Sequence, residues 1–395
     1  MTDPWSRFSE VAGPAEVAGY VERAGEDGRA GVARWFTSAE ESVELDRSTD
    51  AGRVGDRLER FLARHRRGAA IGYVGFDAVG LFEPALRSFP AGSPFPLGEL
   101  ALVPRVERAR VPPVRRRPLG AEVRRPPRED SLPRRRFERS VRRLVEAIRA
   151  GEAFQVVLAH RRSWPRPDDL LARAGRLRAT ERYASFYYLR FGGREIVGAS
   201  PESVAEVDDG AARVDPIAGT LPRTRPAGRR PLATDPKELC EHRMLVDLAR
   251  NDLGRVGRAG SVRLVWSERL VRYARLEHLV SRVATNLLPG VSPWDVLAST
   301  FPAGTVSGAP KIRATELLRA EERSWRGPYA GAVAVLEPGN RALFSLAIRT
   351  AFAARDRLYT AAGAGVVHRS VPAREFDETL AKLAVVEATL VGEAG

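Results

Sequence analysis

Two groups of acidic side chains in this sequence are spaced as a divalent metal ion requires. Glu238 and Glu241 lie three residues apart in a segment that opens with a capping aspartate and a proline, and Glu375 and Glu378 repeat the spacing much later. Residues three apart share one face of a helix, so each helix would present two carboxylates. Mg²⁺ takes one or two protein carboxylates and completes its shell with water and ligand oxygens. Two solvated helix faces with acids near their N-termini would show the same pattern, so the spacing alone leaves both interpretations open.

Lysine is rare in this chain, and its positions coincide with the same segments. Of the 64 Lys and Arg residues only Lys237, Lys311 and Lys382 are lysine. A lysine carries a compact charge on a thin, flexible stem, whereas the guanidinium of arginine is planar and forked. We therefore expect the three lysines to mark places where an arginine would not fit, with chance retention as the alternative.

Three loops rich in small and hydroxyl residues could receive an anionic ligand. They are FPAGTVSGAPK at 301–311, PIAGT at 216–220 and GAG at 363–365. Backbone N–H groups at a helix start can hold an anion, and glycines let a ligand approach the main chain. A tight turn explains each loop equally well, so no single loop identifies a site.

The elements that must position these residues follow from the apolar periodicity. It predicts helices at 54–66, 137–150, 236–253, 293–299, 312–323 and 372–390, and strands at 70–76, 154–159, 185–191, 195–198, 330–336, 342–350 and 358–362. No Rossmann-type or P-loop glycine pattern is present. The mixture predicts a large α+β fold with antiparallel sheets rather than a doubly wound one.

Composition limits the classes of function. The 395 residues include one cysteine, which excludes an intramolecular disulfide, and no apolar run approaches the roughly 20 residues of a membrane helix, so we expect a cytoplasmic protein. The net charge of +14 is concentrated in an Arg/Pro-rich stretch at 104–136. We predict that this stretch is a solvated linker between an N-terminal segment, 1–103, and the main region, 137–395. Nucleic-acid binding through the stretch is the remote alternative.

Together these motifs resemble the chorismate-utilising enzymes, a family that includes anthranilate synthase component I and the aminodeoxychorismate, isochorismate and salicylate synthases. The similar segments follow the family's order and are GEAFQVVLAHR (151–161), ASPE (199–202), PIAGT (216–220), DPKELCEHRMLVDLARNDLGRV (235–256), HLVSRV (278–283), FPAGTVSGAPKIRATELL (301–318), LAIRT (346–350) and AGAGVVHRSVPAREFDETLAK (362–382). The resemblance implies antiparallel β-sheets packed in a sandwich and surrounded by helices. It also implies that 137–395 is the chorismate-binding catalytic region and that 1–103 is a shortened form of the family's regulatory region.

The resemblance further implies roles for individual residues. Glu241 and Glu378 match the Mg²⁺ ligands, and Glu238 and Glu375 match the carboxylates behind them. His278 matches the catalytic histidine, and Glu202 matches the acid that protonates the departing C4 hydroxyl. Such an acid must keep its proton until it reacts, so we expect the pKa of Glu202 to be raised. The groups around the substrate are Gly219, Thr220, Thr305, Tyr329, Arg349, Gly363, Ala364, Gly365 and Lys382, and the fork of Arg349 can grip a substrate carboxylate bidentately.

Two positions distinguish between members of the family. Gln155 stands where the isochorismate and salicylate synthases carry a lysine that activates water, and glutamine cannot deprotonate water. Ala218 stands where aminodeoxychorismate synthases usually have a lysine, and an alanine there resembles the anthranilate enzymes. The resemblance therefore implies the anthranilate synthase reaction of tryptophan biosynthesis, in which chorismate and ammonia give anthranilate and pyruvate with Mg²⁺. An aminodeoxychorismate, isochorismate or salicylate synthase is the alternative.

The resemblance also implies a partner and a departure from the family's regulation. A glutaminase needs a nucleophilic cysteine paired with a histidine. We interpret the only cysteine, Cys240, as a packing residue, so we expect ammonia from a separate glutaminase subunit. The anthranilate enzymes usually bind tryptophan through two segments whose nearest counterparts here, 39–42 and 181–188, depart from the pattern. We predict weak or absent tryptophan inhibition.

Overall fold

A computed structural model describes residues 3–25, 30–88, 90–112, 126–180, 183–222, 232–272 and 276–392. The helices are α1 Pro4–Ala12, α2 Ala51–Arg64, α3 Val79–Phe82, α4 Arg134–Arg149, α5 Leu170–Thr180, α6 Pro236–Gly254, α7 Pro293–Thr300, α8 Gly304–Ser307, α9 Lys311–Glu322 and α10 Pro372–Leu390. The strands are β1 Val17–Arg23, β2 Gly31–Phe36, β3 Glu41–Leu45, β4 Ala69–Val74, β5 Gly98–Val103, β6 Glu107–Val111, β7 Glu129–Asp130, β8 Gln155–Pro165, β9 Ser185–Phe191, β10 Arg194–Ser200, β11 Ser203–Asp208, β12 Ala211–Val214, β13 Ile217–Pro222, β14 Arg263–Arg272, β15 Leu276–Asn286, β16 Gly308–Ala309, β17 Ala332–Glu337, β18 Arg341–Leu346, β19 Thr350–Ala354 and β20 Arg357–Val366.

The strands form two large sheets. Sheet A has the order β16-β8-β20-β19-β10-β9-β1-β2-β6, with β7 beside β8, and sheet B has the order β13-β15-β12-β11-β18-β17-β4-β5-β3, with β14 beside β15. The pairings between these strands are antiparallel, as in β20 against β8 and β17 against β18. This confirms the predicted α+β class with antiparallel sheets packed together and surrounded by helices.

The side chains of β9 show how the two sheets are covered. Tyr187, Leu189 and Phe191 belong to the larger core, which is shared with sheet B, while Phe186 and Tyr188 belong to a second core with residues of α1, α5 and α10. Successive side chains of a strand point to opposite faces, so a strand buried on both faces is apolar throughout. Sheet A is therefore a layer between sheet B and helices α1, α5 and α10.

Most of the predicted helices and strands agree with the observed ones to within a few residues. The strand predicted at 342–350 is wrong, because the chain leaves sheet B after β18 and enters sheet A at β19. Arg349 lies in this connection with a φ of 50°, a left-handed conformation that interrupts a strand. Apolar residues continue through the connection, so the sequence pattern does not reveal the change of sheet.

The N-terminal segment contributes strands to both sheets. β1 and β2 belong to sheet A, whereas β3, β4 and β5 belong to sheet B. Within the stretch predicted as a linker, β6 pairs with β2 and β7 pairs with β8, and 113–125 lie outside the described residues. In the described part of the chain, no helix has the length and apolar character needed to cross a membrane.

Candidate active site

Two of the predicted site residues lie where the chain passes between the sheets. Glu202 stands between β10 of sheet A and β11 of sheet B, and Arg349 stands between β18 of sheet B and β19 of sheet A. The two crossings are hydrogen-bonded to each other, since the carbonyl of Glu202 accepts from the N–H of Leu346 at 3.0 Å and the carbonyl of Arg349 accepts from the N–H of Ala199 at 3.2 Å. The architecture thus holds an acid and a base side by side at one corner of the sandwich.

Glu202 is buried and keeps its proton near neutral pH. Burial raises its pKa from 4.5 to about 8, a nearby Asp215 also raises it, and a hydrogen bond from Thr305 and the charges of Lys382 and Arg349 lower it. The Thr305 hydroxyl donates to Oε1 of Glu202 at 2.8 Å. The predicted rise in the pKa of Glu202 is confirmed. The same interactions show that Thr305, Lys382 and Arg349 lie near this carboxyl.

Lys382 and Tyr329 meet at Gly363. The Lys382 ammonium donates to the carbonyl of Gly363 at 2.8 Å and forms an ion pair of 2.8 Å with Glu378 one helical turn earlier. The Tyr329 oxygen accepts from the N–H of Gly363, and burial raises the pKa of this phenol to about 12, so it is neutral. A Cβ at Gly363 would lie 3.2 Å from the Tyr329 oxygen, which shows how closely the ring approaches the strand.

Gln155 lies against the glycines of β20. A Cβ built on Gly365 would lie 2.5 Å from Nε2 of Gln155, so a larger residue there would make this amide move. Ala364 between the two glycines is fully buried. In the described ranges, Oε1 of Gln155 is buried without a hydrogen-bond donor. A buried acceptor of this kind is costly unless a ligand or water satisfies it.

The first acidic helix borders a large cleft. Glu241 of α6 lines a cavity of about 1140 Å³, together with Phe301 and Lys311 of the 301–311 loop and His368 before α10. The neighbouring His242 is fully buried and its Nε2 lies 2.6 Å from the hydroxyl of Ser281 on β15, which fixes this turn of the helix against sheet B. Glu238 lies one turn earlier on the same helix.

One expectation about this region is wrong. Cys240 is exposed in the cleft and is not a packing residue, because its position on α6 points away from sheet B. Lys311, at the start of α9, also lines the cleft. Its ammonium forms a buried ion pair of 2.9 Å with Asp252 and donates to the carbonyl of Thr300 at 3.2 Å. Burial lowers the pKa of Lys311, and Asp252 counteracts this effect.

The remaining predicted residues lie nearby on sheet B and α10. His278 is buried on β15, opposite the point where the pairing with β13 shifts between Ala218 and Leu221. Gly219 and Thr220 occupy this irregular part of β13, and their side chains lie outside the described residues. On α10, Glu375 is buried, whereas Glu378 is about half exposed beside Lys382.

Sequence reasoning missed Asp215, its partner Arg282, and Arg326, which support the site. Asp215 accepts two hydrogen bonds from Arg282, at 2.8 and 2.6 Å, and raises the pKa of Glu202. The buried Arg326 bonds Glu322 and the carbonyls of Val306 and Val157, and so ties the strand and helix that flank the loop of Thr305. The position of Asp215 directly before the PIAGT motif could have indicated its role. Arg326 is one of many arginines, and nothing in the sequence around it indicates a role.

The comparisons with known proteins identify the family. The model of the chorismate binding enzymes matches residues 20–388, so this chain belongs to that family. It is 35% identical to anthranilate synthase component 1 of Streptomyces coelicolor over 96% of this chain and 84% of the relative. It is 39% identical to a 2-amino-4-deoxychorismate synthase of Streptomyces globisporus over 67% of this chain and 54% of the relative.

A solved structure agrees with this assignment. Anthranilate synthase component I from Streptococcus pneumoniae superposes with a TM-score of 0.77 and 27% identity, covering 92% of this chain and 93% of the other. In three other anthranilate synthase component 1 proteins, the matched part covers only 54 to 62% of the relative's length. These comparisons show the family and the fold, and the reaction is inferred from the site.

Proposed function

We propose that this chain is the large subunit of a Mg²⁺-dependent anthranilate synthase. It converts chorismate and ammonia to anthranilate and pyruvate for tryptophan biosynthesis, and a separate glutaminase subunit supplies the ammonia. The observation that carries the proposal is Glu202, a buried acid that stays protonated at neutral pH beside Arg349 and Lys382. A departing hydroxyl needs such a proton donor, and a dicarboxylate substrate needs the two cations.

Different residues bind different parts of the substrate. Chorismate is a ring that carries two carboxylates, a hydroxyl and an enolpyruvyl ether. Arg349 binds one carboxylate through its fork, and Lys382, Tyr329 and the main chain of β20 line the ring. The amide oxygen of Gln155 accepts a hydrogen bond from the ammonia nucleophile, since this buried acceptor has no donor in the described part of the chain.

The reaction then follows in two steps. Ammonia forms a bond to C2, the ring double bonds shift, and the C4–O bond breaks. The hydroxide leaves as water with the proton of Glu202, and the nitrogen loses one proton. In the second step His278 takes the C2 proton and the C3–O bond breaks, which makes the ring aromatic. The enolpyruvate that leaves takes a proton on its methylene carbon and becomes pyruvate. Water is a poor competitor, because Gln155 cannot serve as its base.

Four carboxylates are suited to hold Mg²⁺. We propose Glu241 and Glu378 as its ligands, with Glu238 and Glu375 orienting them and the bound waters. All four side chains offer carboxylate oxygens as ligand atoms, which Mg²⁺ prefers, and the cleft beside Glu241 has room for water ligands. Within the described ranges no group of three or more His, Cys, Asp or Glu side chains is arranged to hold a metal ion, and Mg²⁺ usually takes only one or two protein carboxylates. When bound, the ion would neutralise a substrate carboxylate.

The decisive experiment supplies chorismate, Mg²⁺ and excess ammonium at alkaline pH without a partner subunit and separates the products by chromatography. We expect fluorescent anthranilate and pyruvate in equal amounts. Glu241→Gln and Glu378→Gln should each abolish the product and weaken the dependence on Mg²⁺, whereas Glu59→Gln on the distant surface of α2 should change neither. Isochorismate or salicylate as the product, or undiminished anthranilate from either Glu variant, would contradict the proposal.

A second reaction is amination at C2 without release of pyruvate. The similarity to the 2-amino-4-deoxychorismate synthase of Streptomyces globisporus favours it. The same chromatography distinguishes the two, because the aminated ring keeps its enolpyruvyl group. His278→Met should shift the wild-type product from anthranilate towards this aminated intermediate if His278 assists the elimination.

Weak or absent tryptophan inhibition remains a prediction. Glu41 and Ser42 lie on β3 of sheet B, whereas Ser185–Tyr188 lie on β9 of sheet A, and 181–182 are outside the described residues. Trp5 packs edge-on against Phe186 and Tyr188 with centroids 5.2 and 6.3 Å apart, so these side chains are already enclosed by the chain's own helix α1. An inhibition constant below about 1 μM, or about 8 kcal/mol of binding, would contradict the prediction.

A further inference from the structure

Four arginines converge on a small cavity between α4 and the C-terminal end of α9. The cavity has a volume of about 170 Å³ and is lined by Arg136, Arg139, Ser140, Arg143, Glu321 and Arg323. We call it the arginine pocket. None of the candidate active-site residues lines it, so it is a separate feature of the molecule.

Local geometry explains the convergence. Arg136, Arg139 and Arg143 are three and four residues apart on α4, which places them on one face of the helix. Arg323 is the C-cap of α9 and has a φ of 50°, and its Nε donates to the carbonyl of Ala320 at 3.2 Å. Arg323 therefore covers a free carbonyl at the negative end of α9, which would otherwise repel an anion.

The charge of the pocket is not balanced by the protein. Its one carboxylate, Glu321, is occupied by Arg143, whose Nε donates to Oε1 at 2.8 Å and whose second nitrogen bonds Oε2. Burial raises the pKa of Glu321, but hydrogen bonds from Arg143 and Ser140 hold that pKa below its ordinary value. Glu321 is therefore ionised and already paired with Arg143. Within the described ranges, Arg136, Arg139 and Arg323 have no ion pair with a carboxylate.

The size and chemistry of the pocket define the class of ligand. A cavity of about 170 Å³ is smaller than the roughly 300–1,000 Å³ that a drug-sized molecule occupies. A phosphate group brings about 1.5 to 2 negative charges and three acceptor oxygens. Guanidinium forks match these oxygens bidentately. We propose that the arginine pocket is a binding site for a phosphate group, either inorganic phosphate or the phosphate of a small monoester.

Occupation of the pocket would link two elements that lead to the candidate active site. α4 contacts α10 through the ion pair of Arg134 with Asp377 and through Arg134 over the ring of Phe376, at 4.5 Å from its centroid. α9 begins at Lys311, directly after the loop that carries Thr305. A ligand bound by both helices should therefore raise the unfolding temperature of the chain in a saturable way.

The test uses isothermal titration of the full chain with inorganic phosphate and, separately, with glycerol 2-phosphate at constant ionic strength. The variant Arg136→Gln/Arg139→Gln removes two pocket charges. The control Arg135→Gln/Arg142→Gln removes two charges from other positions on the same helix, so it lowers the general attraction for anions equally. All four side chains are exposed, and circular dichroism checks that each variant folds.

We expect the pocket variant to bind at least about tenfold more weakly than wild type, since it loses charge-assisted hydrogen bonds to the phosphate oxygens, while the control binds as wild type does. Binding of both probes would identify the phosphate group itself as the ligand, and binding of the monoester alone would identify an organic phosphate. No binding of either probe, or an equal loss in both variants, would overturn the proposal.

Discussion

The substitution Glu202→Gln isolates the proton that the proposed chemistry requires. Glutamine has nearly the same shape, and its amide oxygen can still accept the hydrogen bond that Thr305 donates at 2.8 Å. The substitution removes only the ability to ionise. It should therefore change how the stability of the chain depends on pH more than it changes the structure.

The sign follows from comparing the folded and unfolded chains. In the unfolded chain Glu202 ionises near its ordinary pKa of 4.5, while burial raises its pKa in the folded chain to about 8. Below pH 4.5 both states hold the proton and the group has no effect on stability. Between 4.5 and about 8 only the folded state holds it, so the stability falls as the pH rises. One pKa unit corresponds to about 1.4 kcal/mol, so from pH 5 to pH 8 the loss approaches about 4 kcal/mol.

The assay is urea unfolding followed by tryptophan fluorescence at several pH values between 5 and 8. We expect Glu202→Gln to resemble wild type at pH 5 and to exceed it by several kcal/mol at pH 8. Glu59→Gln, a substitution of an exposed carboxylate on α2, should follow wild type throughout. Parallel curves for wild type and Glu202→Gln would refute the reasoning, because they would mean that the charges of Lys382 and Arg349 outweigh burial and keep Glu202 ionised.

Three further outcomes are expected from the same structure. Lys311→Met should destabilise the chain by about 3–5 kcal/mol in urea unfolding, because it leaves Asp252 buried without its partner, and adding Asp252→Asn should restore much of the loss; equal stability of both variants would contradict this. Gly365→Ala should raise KM for chorismate with little change in the unfolding midpoint, since its Cβ would displace the amide of Gln155, and an unchanged KM would show that this amide does not border the ligand. Binding of chorismate near pH 8 should take up protons, measurable by calorimetry in buffers of different ionisation enthalpy, because a dianion that engages the neighbouring cations removes their lowering effect on the pKa of Glu202.

The helices that carry the acidic residues were predictable because their signals are local. The prediction of a helix at 236–253 differs from α6 by one residue, and the prediction at 372–390 coincides with α10. Each begins with a proline at the first helical position, a signal that needs no knowledge of the rest of the fold. The face that Glu375 and Glu378 share follows from helical geometry alone.

The partners of these residues were not predictable, because they depend on tertiary contacts. Nothing near Lys311 in the sequence indicates Asp252, which approaches it from α6 after a separation of 59 residues. The exposure of Cys240 depends on which side of α6 faces sheet B, and α6 has little apolar periodicity to show it. The change of sheet at Arg349 is hidden in an apolar run that continues from one strand into the next.

The corner between the sheets reconciles two opposing demands on Glu202. A dicarboxylate substrate needs cations, but Lys382 and Arg349 lower the pKa of any acid near them, whereas proton donation needs a raised pKa. A solvated loop could not meet both demands, because an exposed carboxyl beside two cations would ionise. At the crossings of β10 into β11 and β18 into β19, main-chain bonds hold Glu202 in the interior while Arg349 comes from the adjacent crossing. Burial then outweighs the two charges, and the acid keeps its proton within reach of the groups that would bind the substrate.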